Sequence, residues 1–168
     1  MECPIDVMKV ADELLEKGKA ILQEKGSLPS TGFVLEMTGR VTVVDLGLHD
    51  KEAKNRAMQR LGQLAREVNS IAVFTITDSV YRCFPPEGKE PPPPIEDPAR
   101  AENLKPDGKP RACISLEIKV PGQTPTIIMV PYRRDRLGKI QFGPHEQAPL
   151  DFRGPEPPDS AKDEDLKD

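Results

Sequence analysis

Tryptophan is absent from the 168 residues, and aromatic side chains are scarce, with five Phe and two Tyr. The core is therefore lean and rests on aliphatic side chains. Cysteine is nearly absent as well. Cys3, Cys83 and Cys113 are odd in number, far apart and without metal-ligand spacing, which excludes a disulfide framework and fits reduced thiols in a cytoplasm. No apolar run approaches the ~20 residues a membrane span requires. The N-terminus, opening with Glu2 and Asp6, does not read as a secretory leader. These absences predict a soluble, cytoplasmic chain without a membrane partner. A surplus of one charge is missing too, because the whole net charge of −4 is matched by residues 151–168, where seven acids face three bases. The neutral remainder has no global field to draw it onto duplex nucleic acid or an anionic membrane, which leaves only local basic patches.

Proline, by contrast, is abundant and unevenly placed. Of nineteen prolines, nine lie in residues 84–110 and five in residues 144–168. This distribution predicts a single domain over residues 1–143, a proline-rich loop at 84–110 with an extended Pro91 to Pro94 stretch, and an acidic, disordered tail at 144–168.

Within the body, Val7, Ala11, Leu14, Leu15, Ile21 and Leu22 recur at helical spacing, and Gly26 stands where a C-terminal cap belongs. Phe33 to Met37 and Val41 to Val44 flank Thr38-Gly39-Arg40 as a hairpin. Asp50 precedes a helix whose apolar positions are Ala57, Leu61, Leu64, Ala65 and Val68. Ile71 to Arg82 reads as a long strand ending before Pro85-Pro86. Alternation from Ala112 to Val120 predicts a half-buried strand, followed by Thr126 to Val130 and Ile140 to Phe142. The order α-β-β-α-β-loop-β-β-β implies an α+β fold: a mostly antiparallel sheet of about six strands with two helices on one face. An exposed sheet edge also points to a homodimer formed by strand pairing.

Several constellations carry chemistry. Pro106-Asp107, followed after nine residues by Glu117-Ile118-Lys119, matches the PD-(D/E)xK nuclease pattern. There, two carboxylates would hold Mg²⁺ or Mn²⁺ and the lysine would act on the nucleophile. The plain reading is a turn followed by the solvated face of a strand. A second pattern places His49 at a helix start and Cys83 after the next strand, as in the zinc sites of the cytidine-deaminase-like fold, but with one cysteine in place of two. Ser79 lacks a G-x-S-x-G elbow, and only two histidines exist to serve as base. The basic cluster Arg133, Arg134, Arg136 and Lys139, with Tyr132 beside it, is the sharpest local departure from charge balance. It is a candidate for contact with phosphate or nucleic acid.

Further stretches carry a resemblance: Val41-Thr42-Val43-Val44-Asp45-Leu46, Asp50-Lys51-Glu52-Ala53-Lys54, Ile76-Thr77-Asp78-Ser79-Val80, Lys109-Pro110-Arg111-Ala112, and Tyr132-Arg133-Arg134-Asp135-Arg136-Leu137-Gly138. Together they resemble an uncharacterised family of small bacterial and phage-borne proteins. The resemblance implies a cytoplasmic, mobile-element origin and no catalytic residue.

The reading that follows is a non-enzymatic binding or accessory protein without a cofactor. It would contact a protein partner through the 84–110 loop and the 133–139 basic turn. The alternatives are a metal-dependent nuclease using Asp107, Glu117 and Lys119, and a degenerate zinc deaminase-like fold.

Overall fold

The computed structural model describes residues 5–47, 50–85 and 94–149. Helix α1 (Val7–Lys25) starts at Asp6, whose carboxylate accepts the backbone N–H groups of Met8 and Lys9. It ends at Gly26, whose φ of 76° is open to a residue without Cβ and lets its N–H reach the Leu22 carbonyl. The hairpin β1 (Thr31–Leu35) and β2 (Val41–Asp45) follows, then α2 (Lys51–Glu67), capped by Asp50, and the long β3 (Ala72–Tyr81). After the short α3 (Pro98–Asn103) come β4 (Arg111–Lys119), β5 (Thr126–Arg134), β6 (Ile140–Phe142) and β7 (Glu146–Pro149).

All pairings are antiparallel, in the order β2-β1-β3-β4-β5-β6. Strand β7 joins the same edge of β5 as β6, lying along Thr126 to Met129 while β6 lies along Tyr132 to Arg134. The α+β class and the open antiparallel sheet are thus those expected. Two elements are additional: α3 falls inside the 84–110 loop, and β7 lies beyond the expected domain end at 143. Residues 150–168, where the rest of the acidic tail was expected, lie outside the described residues, as do 86–93 with most of the polyproline stretch.

The helices correct the expected layering. Helix α1 packs on Leu35, Phe74, Ile76, Ile114, Leu116 and Val130, whereas α2 packs with Val34, Leu46 and Val73. Neighbours on a strand point to opposite faces, so Val34 and Leu35 place the two helices on opposite sides of the sheet. The physical reason lies in β1 and β3, which carry apolar side chains on both faces and need cover on both. A third cluster, Tyr81, Cys113, Ile127 and Met129, lies on the α2 face at the far end of β3 and β4.

Candidate anion-binding cleft

The far end of the sheet is organised by one buried asparagine. Asp97 caps α3 by accepting the Ala99 N–H at 3.0 Å, and Pro98 at the first turn favours helical φ there. The helix delivers Asn103, only 6% exposed, onto the sheet. Its backbone carbonyl accepts from the Tyr81 hydroxyl at 2.9 Å, and its side-chain oxygen accepts from an Arg133 Nη2 at 3.2 Å. Gly143 is what allows this approach, because a Cβ there would stand 2.6 Å from the Asn103 amide nitrogen. Arg100 clamps the other side of α3 to β7 through a bidentate pair with Glu146 at 2.5 and 3.1 Å.

Beside Asn103 opens a cavity of about 230 Å³, with Tyr81, Arg111, Tyr132 and Arg133 among its lining residues. The register explains the pairing of its cations. Cys113 opposite Pro131 is the last pair of the β4–β5 ladder, and Arg111 and Arg133, each two residues beyond it on its strand, both line the cavity. Arg111 is held by Asp107 through two 2.9 Å bonds, and that guanidinium, with the Lys109 N–H, holds the Asp107 carboxyl at about 2. Arg133 has no carboxylate within ion-pair distance among the described residues. The cleft therefore keeps a cationic excess, and its volume exceeds the ~30 Å³ of one water several-fold.

The basic cluster expected around the β5–β6 turn is divided. Arg134 points to the other face, where its Nη2 donates to the Gly26 carbonyl at 2.7 Å and closes the C-terminus of α1. Tyr132 is buried and donates to Asp78 at 2.6 Å. Arg136 and Lys139 stay in the exposed turn that Asp135 builds by accepting the N–H groups of Leu137 and Lys139. Of the five, Arg133 and the Tyr132 beside it line the cleft, and Arg133 is the only cation among them there, while Tyr81, Asn103 and Arg111 are residues that sequence reasoning missed as site members. Asp97-Pro98, a cap residue before a first-turn proline, is the signal that marks α3.

The nuclease constellation does not assemble. Asp107 is bound to Arg111 at the start of β4, whereas Glu117 lies six residues further on, roughly 20 Å along an extended strand. There Glu117 pairs with Lys119 at 3.0 Å. Two carboxylates so far apart cannot share one divalent cation. For the zinc reading, His49 lies outside the described residues, and burial pushes the Cys83 thiol up in spite of the nearby Arg111. Cys113 is buried and raised to about 12. Among the described residues, no three His, Cys, Asp or Glu side chains gather as a metal site, and no helix is long and apolar enough to cross a membrane. No protein-family model matches the chain, and neither does any curated protein or solved structure.

Proposed function

We propose that this chain is a non-enzymatic binding protein that takes an anionic group of a protein partner, a carboxylate or a phosphoryl group, into the cleft between Arg111 and Arg133. The observation that carries this reading is the Arg133–Asn103 contact. It joins the two segments expected to make contacts, the 84–110 loop and the basic turn, into one surface. Asn103 and Tyr81 fix the cleft wall, so the guanidinium is held in place before a ligand arrives and little ordering cost remains. Arg suits the role because its planar fork matches both carboxylate and phosphate.

The test is thermal denaturation in inorganic phosphate and in acetate against chloride at equal ionic strength. Both anions raise the melting temperature of the wild type. Arg133→Ala loses that increment, and Arg136→Ala in the open turn keeps it. Equal increments in wild type and Arg133→Ala would overturn the reading.

A further inference from the structure

The opposite edge of the sheet carries a different surface. Strand β2 pairs only with β1 among the described residues, so its outer side is open. Glu36 N–H donates to the Arg40 carbonyl and Leu46 N–H to the Ser30 carbonyl. Hydrogen-bonded pairs alternate along an antiparallel ladder, so Thr42 and Val44 turn their backbone groups inward to β1. Val41, Val43 and Asp45 turn theirs outward. Edge protection is slight: no proline or lysine interrupts Val41 to Asp45, Asp45 at its end is the one charged residue of the strand, and Val43 is 61% exposed.

This edge borders a groove. Between β2 and α2 lies a cavity of about 580 Å³ with Thr42, Val44, Asp45, Arg56, Ala57 and Arg60 in its walls, two guanidinium groups against one carboxylate. Thr42 and Val44 face α2, so every second residue of a strand added to β2 would also face α2. Arg56 and Arg60 are exposed and have no ion pair among the described residues. They lie four residues apart, one above the other on the helix, at a rise of about 6 Å. Alternate residues of a strand are spaced by roughly 6.6 Å.

We propose that β2 and α2 form a strand-addition site for an extended acidic segment of a partner protein, with Asp or Glu at alternate positions. Backbone hydrogen bonds to Val41, Val43 and Asp45 supply general affinity, and the acidic side chains meeting Arg56 and Arg60 supply selectivity. Charge argues against a second copy of this chain as the occupant. Two-fold pairing of β2 with itself would bring both copies' Arg56 and Arg60 toward one groove, with only the Asp45 of each copy to set against four guanidinium groups.

The test uses the full chain and two labelled peptides, one alternating threonine with glutamate and one alternating threonine with lysine, read by fluorescence anisotropy. Wild type binds the glutamate peptide at least about tenfold more tightly, the scale of two exposed ion pairs. The exposed double variant Arg56→Glu/Arg60→Glu reverses the preference. Val43→Pro removes an outward donor without touching the bonds to β1, and it abolishes binding of the glutamate peptide while the thermal transition persists. If Val43→Pro does not fold, the reversal by the arginine double variant decides. Equal binding of both peptides, an unchanged preference in the double variant, or no binding by wild type overturns the proposal. So does a dimer that Val43→Pro or Val43→Lys converts to monomer, since a second copy would then hold the edge.

Discussion

The Tyr132 hydroxyl on β5 donates to the Asp78 carboxylate on β3 at 2.6 Å, reaching across β4, where Ile114 is the register partner of both Asp78 and Val130. This bond ties three strands at one point of the α1 face, and it satisfies a carboxylate that is only half exposed. Tyr132→Phe leaves that carboxylate short of a donor, so the variant loses about 1.5–3 kcal/mol in urea unfolding, the range for hydrogen bonds to charged groups. The same contact has a pH signature. Burial, and then Asp78, push the Tyr132 hydroxyl above its ordinary value of 10.0, and burial does the same to Tyr81. A raised folded value means the native state holds the proton longer, so this stability is complete below pH 10 and declines above it. Urea midpoints measured from pH 8 upward show that decline, and Tyr132→Phe makes it shallower.

A second bond lies on the α2 face. Ser79 and Ser115 are buried, and their hydroxyls meet at 3.2 Å between β3 and β4. Either serine replaced by alanine strands the other hydroxyl and costs about 1–3 kcal/mol. The double variant Ser79→Ala/Ser115→Ala removes both polar groups and costs less than the two single changes added together. A double-mutant cycle by chemical denaturation measures the difference.

Asp107 acts as the counter-ion of Arg111, and its carboxyl at about 2 is the signature. Because the folded value is depressed below 3.8, its stabilising effect is present above that pH and disappears as the pH falls toward 2. Carboxyl-detected NMR titration finds the Asp107 resonance moving near pH 2. Asp107→Asn leaves Arg111 uncompensated beside Arg133 and raises the cationic excess of the cleft. Phosphate therefore raises the melting temperature of Asp107→Asn more than that of the wild type.

Gly143 sits where the chain passes Asn103. In Gly143→Ala the new methyl meets the Asn103 amide at 2.6 Å, so the amide moves off Arg133 or the backbone shifts. Overpacking of this kind costs about 1–3 kcal/mol. The phosphate increment shrinks together with stability, because the cleft wall moves. An increment that stays whole in this variant would separate Asn103 from anion binding.

Periodicity and caps made much of the body legible from the chain alone. The Ala11, Leu14, Leu15 and Leu22 stripe with Gly26 marks α1, and Asp50 with Ala57 and Leu61 marks α2. Alternation from Ala112 to Val120 marks β4, and Pro85 marks the end of β3. These signals are local, since an amphipathic pattern follows from the 3.6- or two-residue period of one element. Such a pattern says which side of an element is buried, and nothing about what covers it. The placement of α1 and α2 on opposite faces was decided by tertiary packing, because both helices present similar aliphatic stripes and the two-sided β1 and β3 give each a separate face to cover. The divided fate of Arg133 and Arg134 follows from alternation on β5, but what each meets depends on α3 and on the end of α1. Asp107 and Glu117 look like one motif in the chain, yet the extended path of β4 holds them apart. The neighbourhood of Arg111 and Arg133 arises the other way round. Twenty-two positions apart in the chain, they come to line one cavity only through the pairing of β4 with β5, whose register the packing of many side chains on both faces sets together.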